Sequence, residues 1–470
     1  SLVGSEMCIR DRICIVTMKI EKIALLALGT TMTSGAALAS NTVDKATPNV
    51  LLILVDDLGL GDLSCQYAKD LSTPNIDRIF ETGVRLDNFY ANSSVSSPSR
   101  AALLTGRFPA MVGVPGVIRP SIDQNWGYFD PSAVTMPEVL KNGGYRTALI
   151  GKWHLGWKSP NLPNERGFEH FHGFLADMMD DYYTHQRQGG NYMYLNDKEI
   201  TPKGHATELF TSWSVDYIKK EAKEKNPFFL YLAYNAPHSP LQPPVEWVNK
   251  VQERDKSLPV KRARLIALIE HLDDNIGKVM QALEESGQLS NTLVIFASDN
   301  GGDRGSMANN GPTRGAKGDM FEGGIHVPCA LNMPGVFEGG RRDNHFVVMM
   351  DLMPTICDFV NVPVRHEIDG ISVLDAIKRK KQNTEDRFVF WLRNEGGPQF
   401  GGKSQSAVRY NEYKLLQNLP FEKVQMFNLE EDSLETTPLP LQGDMFRKLN
   451  NAMTKHYRAW GAVPCQAPSK

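Results

Sequence analysis

Ser96 opens the run Ser96-Ser97-Pro98-Ser99-Arg100, which continues through Ala101 to Leu104 into Thr105-Gly106-Arg107. A hydroxyl nucleophile and an arginine therefore fall within one predicted strand-to-helix turn. Pro98 suits the first helical position, where no amide hydrogen is needed, and Ala101 to Leu104 propagate the helix. Its N-terminus then points at Ser96 and, with Arg100 beside it, makes an anion site. The Ser-x-Pro-Ser string alone reads equally as an ordinary capped helix start. Carboxylates form a second group, Asp56-Asp57 and Asp299-Asn300. Three carboxylates and an amide oxygen, with neither His nor Cys among them, make a hard oxygen cage for calcium or magnesium rather than zinc. Each of these pairs by itself also reads as a turn. Cationic and basic side chains form a third group: Lys152 and His154, His238, and Lys317. Taken singly, each is an ordinary loop residue.

What could bring these groups together is a repeated arrangement of apolar, β-rich runs that end in polar clusters. Val50 to Val55 ends in Asp56-Asp57, and Tyr145 to Ile150 ends in Gly151-Lys152-Trp153-His154. Phe228 to Tyr234 ends in Asn235-Ala236-Pro237-His238, and Leu293 to Ala297 ends in Ser298-Asp299-Asn300. Continuous apolar runs without alternation are the pattern of strands covered on both faces. Helical patterns lie between them, as in Leu265, Ile269, Leu272, Ile276, Val279 and Leu283. The expected fold is α/β, a large, mostly parallel sheet sandwiched by helices. Ligands of such sheets bind beyond the carboxyl ends of the strands, where all four polar clusters fall.

The string from Ser96 to Arg107 resembles the signature of the sulfatase family, Cys or Ser, any residue, Pro-Ser-Arg, followed by Thr-Gly-Arg. Gly151-Lys152-Trp153-His154-Leu155-Gly156 is similar to a second signature of that family, and the motifs occur in the family's order. The resemblance implies an alkaline-phosphatase-like fold and a first residue, here Ser96, oxidised to formylglycine (3-oxoalanine), whose aldehyde is hydrated at rest. It implies one calcium ion held by Asp56, Asp57, Asp299 and Asn300 with a hydrate oxygen at Ser96. It assigns Lys152 and His154 to the hydrate and the sulfate, and His238 and Lys317 to sulfate oxygens and the leaving group. Arg100, Lys152 and Lys317 would neutralise the oxygens of a sulfate ester, which otherwise repel a nucleophile. Metal ligation eases deprotonation of the hydrate. The hydrate would attack sulfur in line while His238 or Lys317 protonates the departing alcohol. Loss of its second proton to His154 would then expel sulfate and re-form the aldehyde. Two positions depart from the commoner pattern. Ser at 96 in place of Cys implies a partner, a radical-based sulfatase-maturating enzyme, and His326 stands where many members carry arginine, which bears on local packing or a substrate contact.

Composition is compatible with a secreted enzyme. The 470 residues are 41% hydrophobic, and the net charge is −3, so nucleic acid is not an expected partner. Lys19 and Lys22, the apolar Ile23 to Leu28, and Ala37-Leu38-Ala39 before Ser40 read as a signal peptide over 18–39, preceded by a non-native extension at 1–17. No other apolar run reaches the roughly 18 residues of a spanning helix, so a periplasmic or secreted protein without a transmembrane segment is expected. Cleavage would remove Cys8 and Cys14, leaving Cys65, Cys329, Cys357 and Cys465, whose spacing gives no disulfide pairing. A catalytic domain is expected over 40–384 and an α+β subdomain over 385–470. In the latter, Arg387 to Leu392, Ala407 to Arg409, Tyr413 to Leu416 and Gln425 to Leu429 read as short antiparallel strands. A final helix would place Phe446, Leu449, Met453 and Tyr457 on one face. Ala176 to Lys203 reads as a long loop whose Tyr182, Tyr183, Tyr192 and Tyr194 stack on sugars, or as a solvated insertion. The expected activity is sulfuric ester hydrolysis on a sulfated carbohydrate, the glycan resting on export and on family habit. Two alternatives stand beside it: a phosphatase or phosphonate-ester hydrolase of the same superfamily, and a non-catalytic, sulfated-glycan-binding homologue.

Overall fold

The computed structural model describes residues 47–121, 125–396 and 404–468. The expected signal peptide, the 1–17 extension, Cys8 and Cys14 lie outside them.

The four apolar runs are strands, each a residue or two from its expected bounds: Asn49–Val55, Arg146–Lys152, Phe228–Ala233 and Thr292–Ser298. They form the middle of a ten-stranded sheet. Five neighbours run parallel, in the order Thr292–Ser298, Asn49–Val55, Phe228–Ala233, Arg146–Lys152 and His170–Phe174. Cys329–Asn332 joins one side antiparallel, and the hairpin of Met193–Leu195 and Lys198–Glu199 ends the other. Successive side chains of a strand face opposite ways. Leu52 and Leu54 accordingly pack in one core with Ala101, Leu104, Leu140 and Met353, while Leu51 and Ile53 pack in a second with Ile76, Phe210, Leu265 and Ile276. Burying each of these leucine, isoleucine, phenylalanine and methionine side chains is worth about 1.5–3 kcal/mol. Helices thus cover both faces, as expected. The helix Val260–Glu285 buries all six of its predicted apolar positions.

Residues 389–428 form a second sheet of four consecutive antiparallel strands, Val389–Asn394, Ser404–Tyr410, Tyr413–Gln417 and Gln425–Asn428. The helix Gly443–Trp460 packs Leu449 and Met453 on Val408, Leu415 and Met426 of this sheet, with Phe446 and Tyr457 only partly buried at the margin.

Among the described residues, Cys65, Cys329, Cys357 and Cys465 are all free thiols. No described helix is long and apolar enough to cross a membrane. The stretch from Ala176 to Lys203 differs from a loop, because it carries two short hairpins. Of its four tyrosines only Tyr183 is well exposed, at 43%. Tyr182 is 1% exposed and cannot stack on a sugar, and Tyr192 and Tyr194 lean on the core.

Candidate active site

Strand register sets the positions of the site residues. Val55 pairs with Ser298, and Ala233 pairs with both Leu54 and Gly151, so the strands end at one level. Just beyond, the Asp299 N–H donates to Val55 O at 3.1 Å and the Asp56 N–H to Ala236 O at 3.2 Å. Gly151 lies at φ +107°, and a Cβ there would stand 1.9 Å from Ala233 O. Asp57 and His154 turn out of their strands at φ 67° and 62°. A side chain in that left-handed region costs about 1–2 kcal/mol, a strain that clusters where function demands it.

The turn at Ser96 differs from its expected form. The helix spans Ser96–Thr105, with Val95 as its extended N-cap, so Pro98 is the third helical residue rather than the first. Its missing N–H costs nothing there either, since no amide of the first turn has an intrahelical partner. Ser96 therefore sits in the first turn, where unpaired N–H groups favour anions. It is also buried, at 3% exposure, and is not a surface turn residue.

Around Ser96 the predicted residues form one network. Its Oγ lies 2.9 Å from Asp56 Oδ1 and 3.2 Å from Asn300 Oδ1. Oxygens of Asp56, Asp57 and Asp299 lie within 4.8 Å of one another. The Asn300 Nδ2 donates to Asp57 Oδ1 at 2.8 Å, and the Asp57 N–H to Asp299 Oδ1 at 3.2 Å. Each carboxylate has its own cation. Lys152 Nζ meets Asp56 at 2.5 Å, Arg100 Nη2 meets Asp299 at 2.8 Å, and Lys317 Nζ meets Asp57 at 2.6 Å. His238 Nε2 stands 3.5 Å from Asp57 Oδ2. The charges of Lys152 and Arg100 act on His154, the tenth predicted residue. Arg100 and Lys152 have no exposed side-chain surface, whereas Lys317 retains 22% and His238 12%, so the cluster opens on the Lys317 and His238 side.

Electrostatics distinguish the members. Burial, with Asp56 beside it, pushes the Asp299 carboxyl up to about 7. Burial also opposes the charge on Asp56, but Lys152, His238, Arg100 and Lys317 outweigh it and hold that carboxyl well below the usual range. Lys317 is held above the ordinary lysine value, since Asp57 and Asp56 outweigh burial, and it stays an ammonium donor. Burial, then Lys152 and Arg100, push His154 well below the ordinary histidine value. Its Nε2 lies 3.1 Å from the Ile118 carbonyl, which can only accept, so the ring proton sits on Nε2. Nδ1, buried and without a protein partner, is left as a lone-pair acceptor. His238 shows the opposite pattern, Nδ1–H donating to Ser239 O at 2.6 Å and leaving Nε2 toward Asp57.

The donor set fits a hard cation. It consists of carboxylate and amide oxygens, with oxygens of Asp56, Asp57 and Asp299 within 4.8 Å of one another. Oxygen ligation of this kind suits calcium or magnesium.

Several residues of the site carried no sequence signal. The Gly318 N–H donates to Ser94 O at 2.9 Å, tying the Lys317 loop to the segment that leads into Ser96. Gln405 Nε2 and Arg393 Nη1, from the C-terminal sheet, donate to Gly318 O at 2.8 and 3.3 Å. The Tyr182 hydroxyl donates to His238 O at 2.8 Å, a structural use of a residue expected to bind sugar. The three side-chain contacts among these join residues 56 to 87 positions apart, and Gly318 and Ser94 lie farther apart still, distances that no local motif reports. His326 is a packing residue, stacked on Tyr90 at 4.8 Å and donating through Nε2 to Asp87 O at 2.9 Å.

Residues 48–362 match the Sulfatase family model, and residues 316–459 match the model for the C-terminal part of N-sulphoglucosamine sulphohydrolase. Mouse arylsulfatase J is 30% identical over 404 residues, which cover 81% of this chain and 66% of the relative. Human N-acetylgalactosamine-6-sulfatase is 31% identical over 374 residues, 74% of this chain and 69% of the relative. The crystal structure of Ps i-CgsB in complex with k-i-k-neocarrahexaose superposes with a TM-score of 0.81 at 30% identity, covering 90% of this chain and 95% of that one.

Proposed function

The chain belongs to the sulfatase family, and on that premise we propose that it hydrolyses O-sulfate esters of a sulfated glycan, with Ser96 as the formylglycine position. The observation that carries this reading is the placement of Ser96 Oγ, 2.9 Å from Asp56 Oδ1 and 3.2 Å from Asn300 Oδ1, inside the carboxylate cluster. Asp56, Asp57, Asp299 and Asn300 would hold calcium, and the ion would supply Lewis-acid charge to a ligated oxygen. Formylglycine would supply a hydrated aldehyde as nucleophile in place of an unactivated hydroxyl.

The chain's own residues do the rest. Three carboxylates balance Arg100, Lys152 and Lys317, so a bound divalent ion turns the pocket net positive and draws in a sulfate ester. Buried Arg100 and Lys152 form a fixed wall, preorganised for charge that develops on the sulfuryl oxygens. Lys317, charged and nearest the opening, holds the proton for the departing alcohol, with His238 beside it. His154 Nδ1 is the acceptor for a proton released at position 96.

A glycan substrate is supported by relatives named for a sulfated amino sugar and by the neocarrahexaose bound to a structural neighbour. Signal peptide 18–39 and a periplasmic or secreted location belong to this reading, as do a sulfatase-maturating enzyme as partner and a C-terminal subdomain from about residue 385. Two measurements on protein from its native host test it. The tryptic peptide carrying Ser96 should be lighter by about two mass units, the change on oxidising an alcohol to an aldehyde. The same preparation should release sulfate from sulfated oligosaccharides in strong preference to phosphate from phosphate monoesters. An unmodified peptide would favour a non-catalytic binding protein, and a preference for phosphate would favour the phosphatase alternative.

A further inference from the structure

The C-terminal sheet reaches the lysine of the site. The loop Ala316 to Met320 carries Lys317, whose Nζ meets Asp57 Oδ2 at 2.6 Å. Among the described residues, two backbone bonds tie its centre to the large sheet's side of the pocket, Lys317 N–H to Gly302 O at 3.0 Å and Gly318 N–H to Ser94 O at 2.9 Å. The Ala316 N–H and Asp319 N–H are satisfied within the loop, by Asp319 Oδ2 and Ala316 O, and the Gly318 carbonyl and Met320 N–H are taken by side chains of the second sheet and of Asn418, the residue after its third strand. Gly318 O accepts from Gln405 Nε2 at 2.8 Å and from Arg393 Nη1 at 3.3 Å. The Met320 N–H donates to Asn418 Oδ1 at 2.6 Å, and Asn418 Nδ2 donates to Asp319 Oδ1 at 3.1 Å. Gln405 Nε2 also lies 3.3 Å from Asn418 Oδ1, so the two amides brace one another.

Three features make this more than packing. Gln405 is 1% exposed, and its Nε2 is shared between Gly318 O and Asn418 Oδ1 while its buried Oε1 has no protein partner among the described residues. Gly318 sits at φ +88°, a backbone conformation that favours a residue without a side chain next to the lysine. Trp391 Nε1 donates to Ala91 O at 2.7 Å and Lys414 pairs with Glu322 at 2.8 Å, so the clamping sheet is itself fixed.

We propose that Gln405, supported by Arg393 and Asn418, is a positioning residue for Lys317, and that the C-terminal sheet is thereby part of the catalytic apparatus. This rests on the role given to Lys317 above. The clamp fixes the Lys317 main chain on both sides, through Ser94 and through Gln405, so that its ammonium meets the sulfate ester without first paying the entropy of ordering the loop. Loss of a buried neutral hydrogen bond is worth about a threefold to tenfold change.

A double-mutant cycle tests this in the matured, calcium-loaded full chain, with turnover of 4-nitrophenyl sulfate as readout. Gln405→Leu is expected to lower kcat about tenfold beside Lys317, but less than twofold in a Lys317→Ala background. Equal losses in both backgrounds would mean a general structural role and overturn the clamp. If Gln405→Leu lowers Tm by more than a few degrees, Asn418→Asp replaces it in the same cycle with the same expectation. The Lys317→Ala leg reads the underlying role by itself. A costly Lys317→Ala with additive Gln405→Leu rejects the clamp alone, whereas an inert Lys317→Ala rejects both.

Discussion

Ser96 has no exposed surface to spare, yet it is the smallest side chain of the site, so its replacement separates chemistry from folding. Ser96→Ala removes the oxygen 2.9 Å from Asp56 and leaves that carboxylate bound to Lys152 at 2.5 Å. Turnover should fall to background while Tm stays within a few degrees, read by sulfate release and thermal unfolding of one preparation. Asp299 behaves differently. Its Oδ2 accepts from Arg100 Nε and Nη2 at 3.1 and 2.8 Å, and Arg100 is wholly buried. Asp299→Ala would remove both of those bonds and leave the buried guanidinium to Asp56 Oδ1 at 3.6 Å and the Lys152 carbonyl at 3.3 Å, and so would test stability before metal binding. Asp299→Asn retains an oxygen for Arg100, and it should keep most of the stability while weakening calcium affinity at least tenfold in calorimetric titration. At this scale the residue types were legible in the sequence and the pairings were not. Asp-Asp, Lys-x-His and Asp-Asn announced a site, but which cation served which carboxylate depends on strand register.

Among the elements, the strand ends do most of the positioning. Gly151 marks the tightest approach, and a Cβ there would sit 1.9 Å from Ala233 O in a backbone at φ +107°. Gly151→Ala should therefore destabilise the chain by roughly 3 kcal/mol and pull Lys152 and His154 away from Asp56. Urea unfolding together with kcat would read both effects. The central strands were legible because they are covered on both faces, which leaves uninterrupted apolar runs. The helix at Ser96 was legible in type but not in start, since Pro98 is tolerated anywhere in a first turn. The hairpins within Ala176 to Lys203 were missed because strands of two or three residues carry no period. For Tyr182, composition pointed to a binding surface, and burial assigned it to the His238 carbonyl instead.

Over the whole molecule, the large sheet and the C-terminal sheet are joined by buried charge. Lys414 meets Glu322 at 2.8 Å and Glu435 at 2.9 Å, with no exposed side-chain surface of its own. Burial works against ionising Glu322, but Lys414, His326 and Arg409 outweigh it and depress its carboxyl to about 2. A depressed carboxyl contributes stability that is complete above its ordinary value of 4.5 and is lost as pH falls through about 2. Glu322→Gln should flatten that part of the acid limb, and denaturant unfolding at pH 5 and pH 3 would show a smaller difference in the variant than in the parent. No motif pointed to this seam, because its partners lie 92 residues apart and read as solvated charges in sequence. The proposed hydrolysis depends on an oxygen-ligated ion beside a converted Ser96. Its most direct test is sulfate release from a sulfated oligosaccharide by the matured protein, measured after exhaustive chelation and again after calcium is restored. Turnover should disappear with the metal and return with calcium; undiminished turnover in metal-free protein would contradict the account.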